Sequence, residues 1–227
     1  MRRLSTLLVL SLAGVAPAAA QSYNAPALQL PVLADREYNF VASSGGRAGT
    51  ALLFQWREGV APNWQITAEA GLAAPQGPNV DTRILIGASA ALQVARAGAD
   101  FPFDVALTGG AGFSTGNADK TYTGSHAADG TVVRIPIGAS VGHTFELEQG
   151  YFLTPFVHPR ISLDRCSSCK AGDSDSKVNV DVDVGVSLQV TNQVAVRVAG
   201  LIGGTDYLGA TNAIALSVAW TPKGLKK

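Results

Sequence analysis

From Lys177 to Val190 the chain reads KVNVDVDVGVSLQV. Val178, Val180, Val182, Val184, Val186, Leu188 and Val190 take one parity; Asn179, Asp181, Asp183, Gly185, Ser187 and Gln189 take the other. Side chains on a strand point alternately to opposite faces, so this run is a strand with one oily and one polar side. The same pattern recurs along the chain. Tyr38, Phe40 and Ala42 mark the first segment, Leu52, Phe54 and Trp56 the second, and Trp64, Ile66 and Leu72 the third. Ile84, Ile86, Leu92 and Val94 mark the fourth, Phe103, Val105 and Leu107 the fifth, and Val133, Ile135, Ile137 and Val141 the sixth. Leu153, Val157, Ile161 and Leu163 mark a seventh before the opening run. Val194, Val196 and Val198, then Ile214, Leu216, Val218 and Trp220, close the series. Each has about the length of a tilted membrane strand, roughly nine to eleven residues.

Alternation does not say which face meets oil. Oily-in is a soluble sheet; oily-out is a membrane barrel. The polar parity is informative here. A solvated sheet face usually carries lysine and glutamate, yet Lys120, Lys170, Lys223, Lys226 and Lys227 fall in connectors or at the terminus, and Lys177 at a strand edge. The polar parity instead mixes Gly, Ala and Ser with Arg57, Arg83, Arg134, Arg160 and Arg197 against Glu37, Glu69, Asp104, Asp164, Asp181 and Asp183. Both signs among small residues suit a narrow interior of ion pairs, with His158 on the same face. Arginine serves there better than lysine, because its planar fork pairs bidentately.

Connector lengths point the same way. STGNADKTYTGSHAADG, DRCSSCKAGDSDS and GGTDYLGATN are long, whereas ELEQG and TNQ are short, as in outer-membrane barrels with long outer loops and short periplasmic turns. An even strand count puts both termini in the periplasm. Trp56, Trp64, Phe101, Phe103, Phe145, Tyr151 and Trp220 all fall at strand ends on the short-turn side, the pattern of an interfacial girdle. A one-residue slip of the opening strand would turn Asp181 and Asp183 toward acyl chains. That costs up to roughly 2.5–3.5 kcal/mol each at mid-bilayer, so register is strongly specified.

The N-terminus fits export. MRRLSTLLVLSLAGVAPAAA has two arginines, an apolar core and an Ala18-Ala19-Ala20 end, the order of a secretory signal peptide cleaved after Ala20. No cysteine follows the apolar core, so a lipid anchor is not indicated. Removing Arg2 and Arg3 from seventeen basic residues leaves fifteen against seventeen acids, a balance that gives no reason to propose nucleic acid as partner.

The leader, the alternating strands, the connector asymmetry and the aromatic-ended NAIALSVAW together resemble the small bacterial outer-membrane β-barrel proteins, the OmpA-type and OmpW-type barrels. The likeness is one of pattern over the whole mature chain. It departs from them in TPKGLKK after Trp220, and in Pro136, Pro155 and Pro159 inside strand patterns, where each removes a ladder donor. A bulge or gap is expected near those strands. The fold expected is an all-β, antiparallel up-and-down transmembrane β-barrel of about ten strands, with eight as the alternative. Residues 1–20 form the signal peptide, 21–36 a periplasmic tail, 37–221 the barrel and 222–227 a C-terminal tail.

Catalytic chemistry is sparse. His126 and His143 lie in a loop and at a strand end. His158 with Asp164 and Ser162 has the residue types of a relay, but positions i, i+4 and i+6 of one strand are spread too far along it. Barrel lipid hydrolases exist, yet no histidine–serine pair is placed for one on the oily face. GDSDS with Asp181 could offer oxygen ligands to calcium, but lacks EF-hand spacing and reads as a solvated acidic loop. SSGGRAG and GGAG do not join a strand to a helix, so they do not make a phosphate cradle. Cys166 and Cys169 form a C-x-x-C without a thioredoxin-like setting, and in an exported chain read as a small disulfide pinning a loop.

No cofactor, metal or enzyme activity is expected. The function expected is an integral outer-membrane protein with a side-chain-filled lumen, in a structural role or presenting the loops Ser114–Gly130 and Asp164–Ser176. Its partners would be outer-membrane lipid and, during insertion, the barrel assembly machinery, with the chain a monomer. A narrow solute channel and a soluble secreted or periplasmic β-barrel or sandwich binding module are the alternatives.

Overall fold

The structure is a computed structural model that describes residues 27–45, 49–74, 82–115, 131–170, 173–203 and 211–222. The expected leader, His126, residues 116–130 of the first long loop and the tail from 223 lie outside them. Eleven strands form: β1 Arg36–Gly45, β2 Gly49–Ala61, β3 Trp64–Ala74, β4 Arg83–Ala95, β5 Asp104–Thr115, β6 Val132–Gly142, β7 Phe145–Glu146, β8 Phe152–Lys170, β9 Asp173–Gln189, β10 Val194–Gly203 and β11 Thr211–Trp220. β7 is a two-residue strand pairing with the start of β8. The other ten make a closed antiparallel barrel: neighbours in sequence pair, β1 meets β11, and β6 meets β8. Ten strands hold; eight is excluded.

Alternation sets the two faces as the sequence implies. On the opening strand Asn179, Asp181, Asp183 and Ser187 are buried inside, while Val178 and Val180 are 68 % and 62 % exposed outside. Phe40, Leu52, Ile86, Ile137, Ile161 and Leu216 are likewise outward and exposed. The outer wall is therefore a continuous apolar band.

Connectors depart from expectation in one place. The stretch foreseen as a long loop at Asp164–Ser176 is strand on both sides: β8 runs to Lys170 and β9 starts at Asp173, so residues 171–172 alone join them. The pairing Asp164↔Lys177 continues through Cys166↔Asp175 and shifts register before Lys170↔Asp173. Extended alternation favours the hairpin over a loop, because every residue added to the ladder satisfies main-chain groups. Cys166 is disulfide-bonded, and Cys169 is the chain's other cysteine. The pairing with Asp175 thus places Cys166 in strand β8 rather than in a loop.

Proline leaves the gaps that its missing donor requires. Between β5 and β6 the ladder runs to Gly109↔Ile137 and resumes at Gly112↔Arg134, skipping Pro136. Between β6 and β8 it breaks from Gly138↔Arg160 to Val141↔Val157, skipping Pro159. On their other sides Pro136 pairs with Ser162 and Pro159 with Val182. Each proline thus turns its donorless edge to an interruption.

The expected periplasmic tail is not free over its described part. Ala27, Leu28, Gln29, Leu30 and Ala34 are buried, because the segment folds into the barrel mouth at the short-turn end.

Close packing inside the wall is testable at Gly185, where a Cβ would meet the Val198 carbonyl, the Ala199 Cβ and the Phe156 ring. Gly185→Val should destabilise the barrel by about 1–3 kcal/mol. Outward Gly200 has room, so Gly200→Ala should leave stability unchanged. The temperature at which the folded gel band converts to the unfolded one reads both.

Candidate functional site in the barrel lumen

The interior is built from long side chains that reach over small ones. Glu37 (β1) sits directly opposite Arg57 (β2) and accepts from its Nη1 at 3.0 Å. It also accepts two bonds from Arg197 on β10, at 2.8 and 2.5 Å. Arg197 must cross β11 to get there. It can because the inward residues of β11 are Ala213, Ala215, Ser217 and Ala219. Arg57 also donates to Gln55 Oε1 at 2.9 Å, and Gln55 bridges Asn39 and Glu69 at 2.7 Å each.

A second group lies where β6, β8 and β9 meet. Arg134 grips Asp164 with both nitrogens, Nε to Oδ1 at 2.9 Å and Nη2 to Oδ2 at 2.6 Å. Asn179 donates to the same carboxylate at 2.8 Å. Arg134 Nη1 stands 3.7 Å from Asp181, and Ser162 donates to Asp181 at 3.3 Å. Arg160 pairs with Asp183 at 2.6 Å. Of the inward charges read from sequence, Arg57, Glu69, Arg134, His158, Arg160, Asp164, Asp181, Asp183 and Arg197 are thus brought into contact with other lumen side chains. Arg83 is inward and buried on β4. Asp104 is inward and buried as well; it accepts from the main-chain N–H of Ala97 at 3.0 Å and so braces the β4–β5 turn.

His158 keeps neither of the partners considered from sequence. Its Nε2 lies 2.9 Å from Thr108 Oγ1 on β5, two strands away, and its Nδ1 is 3.8 Å from Asp183 Oδ2. Hydroxyl, imidazole and carboxylate stand in the order of a relay. A relay needs room for a substrate, however, and His158 and Asp183 have no exposed surface. The geometry is that of an internal histidine bonded through Nε2 alone, its Nδ1 buried without a hydrogen-bond partner. Among the described residues no group of three His, Cys, Asp or Glu is arranged to hold a metal ion.

The lumen is filled at every strand. Asn39, Gln55, Ala106, Ser140, His158, Asp183 and Ala215 are 0 % exposed, from β1, β2, β5, β6, β8, β9 and β11. Glu69, Leu85 and Ala199 add nearly covered side chains from β3, β4 and β10. Sequence reasoning found most of the charges. It missed the neutral residues Asn39, Gln55, Gln65 and Thr108, whose partners lie on other strands, and the whole of the inserted segment.

On the outer wall the girdle residues Trp56, Trp64, Phe101, Phe103, Phe145, Tyr151 and Trp220 are all exposed. Tyr38 joins them, stacked on Trp220 at 5.5 Å and on Phe54 at 6.3 Å, and Phe101 meets Phe103 edge-on at 5.9 Å.

A closed ten-strand antiparallel barrel with an apolar outer wall is the architecture of outer-membrane barrel proteins. Among solved structures, LpxR from Salmonella typhimurium is similar to this chain with a TM-score of 0.50 and 10 % identity, over 81 % of this chain and 99 % of that one. That likeness is one of fold alone. The KdgM porin aligns over 81 % of this chain and 98 % of its own at 8 % identity, with a TM-score of 0.37. No family model and no curated protein sequence matches the chain.

The Arg57–Glu37–Arg197 cluster makes a sharp prediction. Glu37→Ala leaves two buried guanidiniums without their carboxylate and should cost about 3–5 kcal/mol. Combining it with Arg197→Met should recover part of that loss, giving a coupling energy readable by a double-mutant cycle on denaturant midpoints. The Arg36–Glu58 pair is half exposed on the outer rim, so Arg36→Ala should leave the midpoint unchanged.

Proposed function

We propose that this chain is an integral outer-membrane protein that works with a closed lumen, as an envelope scaffold that presents its long-connector end outside the cell. In size and filled interior it is akin to the OmpA-type and OmpW-type barrels. The observation that carries this reading is that each of the ten strands contributes an inward side chain with little or no exposed surface. A water-filled passage would wet the residues that line it. A covered lining argues instead for a plugged barrel, and against the narrow channel.

The outer face supports the membrane. Soluble proteins rarely expose contiguous apolar patches beyond a few hundred Å², whereas here the outward residues along the middle of every strand are apolar or small, with Arg36, Glu58, Arg165 and Asn212 near strand ends. The aromatic ends sit toward the short turns, which become the periplasmic side, and the β8–β9 hairpin and the 116–130 connector become the outer surface. In this reading the leader at residues 1–20 exports the chain, the barrel assembly machinery inserts it, and it stands as a monomer among lipids. The sealed surroundings of His158 support a non-enzymatic role.

Fractionation and gel mobility test the first half. The protein should sediment with outer membrane and migrate differently before and after boiling; a chain found in the soluble fraction with unchanged mobility would sink the proposal. In planar bilayers the purified barrel should give no unitary conductance. Arg134→Ala should leave it so, because the Arg160–Asp183 pair and the segment 27–35 still fill the lumen. Steady conductance from the unaltered protein would favour the channel.

A further inference from the structure

The segment 27–35 crosses the lumen at the short-turn end rather than lining one wall. At its start the Ala27 carbonyl accepts from Gln55 Nε2 at 3.1 Å and Arg57 Nη2 at 2.7 Å, both on β2. The next carbonyl, of Leu28, accepts from Arg57 at 3.3 Å. One residue on, the Gln29 carbonyl accepts from Ser140 Oγ at 2.6 Å on β6, four strands away around the wall. Pro31 lies against Gly142 on the same strand. The chain then returns: Gln65 Nε2 of β3 donates to the Ala34 carbonyl at 2.8 Å, and the Gly59 N–H of β2 to the Asp35 carbonyl at 2.7 Å. Leu28 and Leu30 meanwhile join the apolar cluster of Val41, Leu53, Phe156 and Leu201.

Three features mark this segment as an occupant distinct from the wall. Its contacts to the barrel are made chiefly through main-chain carbonyls and leucine side chains. The charged wall pairs, Glu37 with Arg57 and Arg197, close without it. Leu28 holds φ at +52°, a left-handed conformation that a leucine does not adopt unless its surroundings impose it. A pocket that reads carbonyls and leucines, and bends the chain that fills it, has the chemistry of a peptide site.

We propose that the short-turn half of the lumen is a binding site for an extended, leucine-bearing peptide segment, filled in cis by residues 27–34 of the same chain. Gln55, Arg57, Gln65 and Ser140 supply the donors for carbonyls, and Val41, Leu53, Phe156 and Leu201 the apolar floor. Displacing the cis segment opens this pocket and not a through-pore, because the Arg134–Asp164 and Arg160–Asp183 pairs seal the far half.

The test compares the full chain with a variant lacking residues 27–34, both refolded in detergent micelles and checked by gel mobility before boiling. The probe is a fluorescein-labelled peptide, ALQLPVLA, followed by anisotropy. The shortened barrel should bind it saturably and the full chain should not. Replacing both of the peptide's first two leucines with serine should weaken binding tenfold or more, since each leucine is buried. Ser140→Ala in the shortened barrel should weaken it about fivefold, the loss of one hydrogen bond. A folded shortened barrel that ignores the peptide, or binds the serine form equally well, overturns the proposal. If the shortened chain does not fold, hydrogen exchange on the full chain decides. Amides of 27–34 should exchange at least tenfold faster than those of β2 and β9, and Gln65→Ala with Ser140→Ala should accelerate the segment alone. Exchange at the rate of the barrel strands overturns it.

Discussion

A ten-stranded barrel has to fill its own interior. Eight strands enclose a space that wall side chains just fill, and diameter grows roughly linearly with strand number. The two additional strands leave room that alanines and serines alone cannot occupy, and any charge placed there must find a partner away from water. The rest of the molecule answers these two demands. Arginines, glutamines and carboxylates extend from β1, β2, β6, β8, β9 and β10, while β11 presents small residues beneath them. The inserted segment takes up what remains at the short-turn end.

This division explains why the longest contacts in the lumen pass over the smallest residues. Arg197 meets Glu37 across the alanines of β11, and the Arg160 side chain lies against Gly138. Local register accounts for Arg57 opposite Glu37 and Arg134 opposite Asp164, since those are direct cross-strand neighbours. Contacts that skip a strand depend on the curvature of the closed wall, which brings i, i+2 strands together over a small residue. Closure also removes the sheet's edges, so Pro136 and Pro159 are tolerated where their donorless sides face interruptions in the ladder rather than breaking the barrel.

The lumen's electrostatics and its close packing are linked. Buried ion pairs contribute little net stability but make any single loss expensive, so they specify one arrangement more than they strengthen it. His158, bonded to Thr108 through Nε2 and covered on all sides, sits within that packing.

Strand number, the two faces, the inward charges and the outward aromatic ends were legible in the sequence, because period-two alternation is a local property that survives folding unchanged. The asymmetry of connectors was legible in part: length and polarity read DRCSSCKAGDSDS as a loop, whereas continued pairing with its neighbour made it hairpin. Asp104 had the right parity for the network and accepts from the Ala97 N–H of its own turn. Arg160 on the neighbouring strand was a legible partner for Asp183, but Arg197 turned from the β9 acids to Glu37. That choice, the partner of His158 and the burial of Ala27 to Pro31 were decided by tertiary structure alone. They are contacts between elements far apart in the chain, fixed by how ten strands close and how much space that closure leaves. No local pattern encodes that space.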